Sequence, residues 1–342
     1  MKNFLKIMSV LALSALVFAA AAVGGCGKND ARVAFFVYDE NDTFISELMQ
    51  RMSTLAPADI PTEIRYAGNS QVKQNQQIVE LTGTDIELFV INAVDRMACG
   101  AIAEKCVDNG IDVIFFNREP LWDVMEGGDI YYVGSDADNE GQKQAHMAAG
   151  LFGSDFKGSG FDRNEDGVIQ VAVLKGEQGH QDAEKRTDNC VSELRSLGFR
   201  VEVLGIEAGN WSRDSGYEAM KRLYANHGDA IELLFSNNDD MAVGAIRYLQ
   251  ESGIFRVNES RYNQPFVLMG VDGTAVGLDA IRRGLLYGTV LNDSARQADA
   301  VMTLVDYILD KRDMSDFPYT ITNGYIFIDG DIITMENLDD YM

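Results

Sequence analysis

Residues 162–186 read DRNEDGVIQVAVLKGEQGHQDAEKR, and the fold follows from how this stretch divides. An acidic turn, Asp162–Gly167, comes first. An almost continuous apolar run, Ile169–Leu174, follows it. Polar residues fill Lys175–Asp182, and a helical pattern occupies Ala183–Leu197. Strand, polar turn and helix in that order make one βα unit. A strand that is apolar on successive residues is covered on both faces, as in a parallel sheet.

The same unit recurs in both directions along the chain. Towards the N-terminus lie candidate strands Val33–Tyr38, Glu63–Tyr66, Leu88–Val94, Val113–Asn117 and Tyr131–Ser135. Beyond Leu174 come Arg200–Gly205, Leu233–Ser236, Val267–Val271 and Gly288–Leu291. Helical patterns at Glu47–Leu55, Gln74–Leu81, Ala98–Val107, Ser215–Tyr224, Ala242–Gln250 and Ala295–Leu309 separate most of them. That is more than one sheet holds comfortably, so the expected class is α/β with two doubly wound parallel-sheet lobes. With only 5 Pro and no Gly/Ser/Pro linker, the lobes are expected to be joined by several short crossings. In open sheets of this kind the ligand sits at the carboxyl ends of the strands, so two facing lobes make a cleft.

The strand ends are polar. Tyr38-Asp39-Glu40-Asn41-Asp42-Thr43-Phe44 follows the first, and Asn117-Arg118-Glu119, Asn237-Asn238-Asp239, Asp272 and Asn292-Asp293 follow others. There is no GxGxxG and no GxxxxGK[ST], so nothing reads as a phosphate loop. Asp, Asn, His and Arg around a cleft suit a ligand with many hydroxyls, each of which donates and accepts.

The chain starts with Lys2 and Lys6, runs apolar from Ile7 to Val23, and reaches Val23-Gly24-Gly25-Cys26. A charged start, an apolar core and small residues before a break read as a secretory signal over 1–25. The Cys resembles that of a bacterial lipobox, which makes Cys26 a lipidation site. The other reading is a plain membrane anchor. Both place the rest of the chain outside the cytoplasm, held at a membrane. The net charge of −24 repels phosphate backbones, so no nucleic-acid partner is expected. Cys99 and Cys106 stand seven apart in a helical pattern, about 10 Å along one face, too far for a disulfide. They and Cys190 read as small apolar residues. With 3 His and no CxxC or HExxH spacing, no zinc site is expected.

Segments VIFFNREP (113–120), 162–186, ELLFSNNDDMAVGA (232–245), GVDG (270–273) and GTVLND (288–293), in this order and spacing, resemble the periplasmic galactose/glucose-binding proteins of sugar ABC transporters. The resemblance spans essentially the whole chain after the signal. It implies two lobes joined by a three-stranded hinge that closes on the sugar, with crossings near Ser135–Asp136, Asn292–Asp293 and Ile326–Phe327. The first lobe is then 26–135 with 293–326, and the second 136–292 with 327–342. By the same resemblance Tyr38, Asp42 and Asn117 meet sugar hydroxyls from the first lobe. His180, Asp182, Arg186, Asn238 and Asp272 do so from the second, and Asn292 at the hinge. Phe44 and Trp211 match the two rings that sandwich the pyranose. The chemistry agrees: aromatic faces cover C–H faces, and ionised groups make the stronger hydrogen bonds, about 1.5–3 kcal/mol each. One departure is Gln181, where the family usually has Pro.

Local sequence alone offers other uses for these residues. Phe44 reads as core, Trp211 and His180 as surface, Asp42 and Asn238 as helix N-caps, and Arg186 as an i,i+4 partner of Asp182. The expected function is non-enzymatic: D-galactose or D-glucose binding and delivery to a membrane permease, with a chemoreceptor as a second partner and a monomeric chain. Rival readings are a ribose- or xylose-binding protein, a glycoside-processing enzyme using Asp182 and Asp272, and a sugar-sensing regulator of the same fold.

The stretch Asp162-x-Asn164-x-Asp166-Gly167-Val168-x-Gln170 places oxygen ligands at positions 1, 3, 5 and 9 of an EF-hand loop, with a backbone carbonyl at Val168. Position 12 is Val173 where an EF-hand has Glu, and a strand stands where its second helix would be. The family carries such a nine-residue loop and takes the missing carboxylate from a residue that aligns with Glu232. The resemblance thus implies a structural Ca2+ held by Asp162, Asn164, Asp166, Val168, Gln170 and Glu232.

Overall fold

A computed structural model of the chain describes residues 31–127 and 130–342. The expected signal and Cys26 lie outside the described residues. No helix among the described residues is long and apolar enough to cross a membrane.

The first sheet collects β1 (Val33–Val37), β2 (Thr62–Tyr66), β3 (Leu88–Ile91), β4 (Asp112–Phe116), β5 (Ile130–Ser135) and, from far along the chain, β11 (Tyr325–Ile328). Their spatial order is β2-β1-β3-β4-β5-β11, every neighbour parallel. The second sheet takes β6 (Ile169–Lys175), β7 (Val201–Ala208), β8 (Leu233–Ser236), β9 (Val267–Asp272), β10 (Gly288–Leu291) and β12 (Ile332–Thr334), in the order β7-β6-β8-β9-β10-β12. Only β12 runs antiparallel to its neighbour. These are the two doubly wound α/β lobes that the strand pattern predicts.

Both faces of each sheet are covered, which explains the continuous apolar strands. Along β1, Val33, Phe35 and Val37 join one core, while Ala34 and Phe36 join the core on the opposite face. Along β6, Ile169, Val171 and Val173 pack to one side and Ala172 and Leu174 to the other. This is the period-2 alternation of a strand with two buried faces. The helices that cover the first sheet are α1 (Thr43–Leu55), α2 (Gln71–Thr82), α3 (Cys99–Asp108) and α9 (Ser294–Leu309). The second sheet is covered by α4 (Ala137–Phe152), α5 (Gln181–Ser196), α6 (Arg213–His227), α7 (Asp239–Glu251) and α8 (Ala275–Arg282). Cys99, Cys106 and Cys190 are free and buried in these cores, and burial pushes the thiols of Cys99 and Cys106 up to about 12.

The chain passes between the sheets after β5, after β10, and between β11 and β12. The third passage is a correction to the sequence reading. β11 stays in register with β5 through Ile328 opposite Ser135, so the crossing lies at 329–331 and not at Ile326–Phe327. Residues 327 and 328 therefore belong with the first sheet. β11, β12, α4 and α8 also escape the sequence pattern. α4 shows no apolar stripe because it meets α5 through small and polar residues. A Cβ on Gly141 would stand 2.9 Å from the carbonyl oxygen of Arg186, so only a glycine allows the two helices this close.

Candidate functional site

Each sheet has a point where its strand order reverses: β1 lies between β2 and β3, and β6 between β7 and β8. Loops diverge there and leave a crevice at the carboxyl ends. The two crevices face each other across one small cavity of about 30 Å³. All eleven residues singled out from the sequence line it: Tyr38, Asp42, Phe44, Asn117, His180, Asp182, Arg186, Trp211, Asn238, Asp272 and Asn292. Ile45 and Arg118 line it too.

In the first wall, Asp42 serves two ends. It caps α1, accepting from Ile45 N–H at 2.9 Å, and its other oxygen accepts from the Tyr38 hydroxyl at 2.5 Å. The cap reading and the site reading thus hold for one residue, since a carboxylate has lone pairs to spare. Phe44, one residue into α1, is 7% exposed and part of the core behind β1. Asn92, wholly buried at the end of β3, accepts from Tyr38 N–H and donates to the Phe116 carbonyl and Asn117 Oδ1. It ties three strand ends together. Asn117 adopts φ 60°, a left-handed conformation that Asn tolerates better than most residues.

In the second wall, His180 caps α5. Its Nδ1 accepts from Asp182 N–H at 3.2 Å, which leaves the proton of the neutral ring on Nε2. Burial together with the cations Arg118, Arg186 and Arg96 holds this imidazole well below its usual range, so it stays neutral. Asn238 caps α7 through Met241 N–H at 3.0 Å and donates to the Trp211 carbonyl at 3.3 Å. The Trp211 indole stands edge-on to His180, ring centres 5.0 Å apart. A Cβ on Gly176 would lie 2.2 Å from the indole ring, so that glycine makes room for it. Trp211 takes φ 61° and Asp272 φ 123°. Backbone strain of order 1–3 kcal/mol per residue clusters where surrounding structure enforces a geometry.

Arg186 is 3% exposed. Its Nε donates to Glu140 at 2.7 Å and its Nη1 to the Asn237 carbonyl at 2.7 Å. Asp182 and Asp272 stand farther off, at 4.0 and 3.9 Å. The direct partner of Arg186 is Glu140, on a helix the pattern does not reveal, and the i,i+4 neighbour Asp182 is the more distant one. One cation thus faces three buried carboxylates. Burial raises Asp182 to about 7, with Arg186 opposing and Glu140 and Glu119 adding to the rise. Burial raises Asp272 as well. Asp272 accepts from the Asn292 amide at 3.3 Å; both carboxylates line the cavity, and hydroxyl donors from a ligand would favour their charged forms.

Arg118 is the main residue the sequence reading passed over. Its guanidinium lies 3.8 Å from the centre of the Tyr38 ring, donates to the Val94 carbonyl, and reaches Glu177 of the facing wall at 3.1 Å. The signal was present, because Arg118 directly follows Asn117 at a strand end. Other bonds span the cleft. Thr43 donates to Asp240 at 2.6 Å, Lys185 approaches Glu119 at 3.4 Å, and Gln181 donates to Glu119. The lobes are closed on each other.

The loop 162–170 folds on itself. Asp162 accepts from Asp166 and Gly167 N–H, Asp166 from Val168 N–H, and Glu232 from Arg163 and Gln170 N–H. Asn164 accepts from Asp166 N–H. The predicted ligands are thus neighbours. Among the described residues, however, no group of three or more His, Cys, Asp or Glu is arranged to hold a metal.

Residues 33–313 match the family described as periplasmic binding protein domain. The D-galactose/methyl-galactoside binding periplasmic protein of Haemophilus influenzae is 31% identical over 304 residues, 88% of each chain. The xylitol-binding protein of Mycolicibacterium smegmatis is 24% identical, over 97% of this chain and 88% of that one. Among solved structures, a myo-inositol-bound solute-binding protein of an ABC transporter from Bacillus halodurans superposes with a TM-score of 0.75 at 21% identity, covering 93% of this chain and 99% of that one. At that identity the likeness speaks for the fold alone. The family match over most of the chain, with the 31% relative, makes this chain a member of the periplasmic binding protein family.

Proposed function

We propose that the chain binds a monosaccharide, D-galactose or D-glucose, outside the cytoplasm and delivers it to an ABC permease. The observation that carries this is the convergence of eleven residues, assigned from the sequence, on one cavity between the two lobes. Its chemistry fits a pyranose. Phe44 and Trp211 offer aromatic faces, Asp42, Asp182 and Asp272 accept from hydroxyls, and Arg186, His180 and the Asn side chains donate. Three or four charge-assisted bonds, net of immobilisation, are enough for the ~8 kcal/mol of a micromolar site. The relative named for galactose and methyl-galactoside supports a hexose over a pentose, while relatives named for ribose and xylitol are more distant at 24%. Calorimetry with D-galactose, D-glucose, D-ribose and D-xylose tests it. A hexose should bind at least tenfold tighter than either pentose, and the reverse order would overturn the hexose assignment.

Cys26 carries the lipid anchor in this reading. Cys26→Ala should leave the chain unprocessed or released from membranes, and residues 1–25 found on membrane-bound wild-type protein would count against it. A chemoreceptor is a second candidate partner, and the chain works as a monomer.

The loop 162–170 with Glu232 is the seat of a structural Ca2+. The donors are all oxygen, as calcium prefers. Gln170 Oε1 is buried with no hydrogen-bond partner, and Asp162 and Asp166 both add to the upward shift that burial gives Glu232. A 2+ ion would answer both. Asp162, Asn164, Asp166, Gln170, Glu232 and the Val168 carbonyl would hold it, and it would supply stability and no chemistry.

A further inference from the structure

Asp239 is a buried carboxylate with no part in the cavity. It occupies the first position of α7, directly after the cavity residue Asn238, and is 0% exposed. One oxygen accepts from Thr274 N–H at 2.9 Å and from the Thr274 hydroxyl at 3.2 Å. The other accepts from the Thr289 hydroxyl at 2.7 Å. Thr274 lies two residues beyond the cavity residue Asp272, in the turn where Asp272 takes φ 123° and Gly273 φ 72°. Thr289 is on β10, three residues before Asn292. The space for this carboxylate is made by two glycines. A Cβ on Gly270 would stand 2.2 Å from one oxygen, and a Cβ on Gly277 2.1 Å from the other.

We infer that Asp239 is the positioning residue of the second wall: one carboxylate bonded to β9–α8 and to β10, and continuous with Asn238, sets Asn238, Asp272 and Asn292 relative to one another. The inference rests on the monosaccharide reading of the cavity. The Asp272 turn is strained, so it needs an anchor, and the amide of Thr274 is bonded to Asp239. A carboxylate suits this place because it accepts from several donors at once, where a neutral side chain of the same size accepts fewer.

Asp239 also acts on the site by charge. The charged groups that face Asp272 are Arg186 on α5, Glu140 on α4, Asp42 ahead of α1 and Asp239 itself. Asp240 faces Asp239 from its own helix. Burial raises the Asp239 carboxyl itself to about 7, so only above that pH does its charge oppose ionisation of Asp272.

Calorimetric titration with D-galactose and D-glucose, on variants of the full chain checked for folding, tests the inference. Asp239→Ala should weaken binding at least thirtyfold. Gly277→Ala, which displaces the carboxylate without altering it, should weaken binding at least tenfold and leave the helix intact. Asp239→Asn, which keeps a side-chain oxygen to accept from Thr274, should bind within a few-fold of wild type at pH 8. A residue that only stabilised the fold would lower the melting temperature and leave the affinity of folded protein unmoved. Folded Gly277→Ala with unchanged affinity would overturn the assignment even if Asp239→Ala fails to fold. A wild type that binds neither sugar would overturn the monosaccharide reading as well; normal wild-type binding with unaltered variants would overturn this inference alone.

Discussion

The two walls of the cleft satisfy their polar groups differently. In the first, Asp42 spends one oxygen on the α1 cap and the other on Tyr38, and Asn117 is tied to Asn92. The wall is largely complete in itself. In the second, Arg186 gives its direct bonds to Glu140 and the Asn237 carbonyl, and leaves Asp182 and Asp272 at 4.0 and 3.9 Å. Asp272 accepts from Asn292 at 3.3 Å, and both carboxylates keep lone pairs for further donors beside a buried cation. The first wall is therefore expected to orient a ligand and the second to supply most of the polar binding energy.

The largest expected effect comes from removing the cation. Arg186→Ala leaves three buried carboxylates unpaired, so hexose affinity should fall more than about a hundredfold, ~2.7 kcal/mol. Stability should fall by about 3 kcal/mol, the scale for breaking a buried ion pair, read by denaturant titration. Next, Asp182→Ala should weaken binding about fiftyfold and Asp42→Ala about tenfold, ~2.3 and ~1.4 kcal/mol. Equal losses at both positions would remove the asymmetry between the walls. Trp211→Ala should cost about tenfold as well, since it uncovers one face of the sugar.

The fold was legible because both sheets bury both faces, so the strands Ile169–Leu174 and Val33–Tyr38 announce themselves as apolar runs. What escaped did so for definite reasons. α4 packs by Gly141, Glu140 and Gln144, and polar or small residues leave no stripe to read. β11 and β12 are short edge strands, so the third crossing was placed two residues early. The site was legible only as a pattern. Asp42, His180 and Asn238 are N-caps as well as cavity residues, and a cap alone carries no sign of a ligand. The partnership of Arg186 with Glu140 joins residues 46 apart in sequence, which no local spacing displays.

A pH series sharpens the contrast between walls. Asp182 has its carboxyl raised from 3.8 to about 7, so a sugar that needs the ionised form binds less well as pH falls through 7. Affinity should drop about tenfold from pH 8 to pH 6. The ligand-free fold should behave oppositely. The stability linked to this raised carboxyl is fully present below its unfolded value and is lost as pH rises towards 7. Asp182→Asn should flatten both trends, and a pH profile unchanged by that substitution would place the titrating group elsewhere.

The smallest effect concerns the second lobe away from the cleft. Ca2+ should raise the melting temperature by a few degrees, on the order of 1 kcal/mol of linkage, with Glu232→Gln reducing the response and leaving sugar affinity nearly intact. A melting temperature unmoved by Ca2+ in protein verified metal-free would sink the calcium assignment.

The most direct test of the central claim is calorimetric titration of the purified wild-type chain with D-galactose and with D-glucose at pH 8. Saturable binding of one sugar per chain is expected, micromolar or tighter for at least one of them, ~8 kcal/mol or more. No heat with either hexose, from protein shown to be folded, would contradict it.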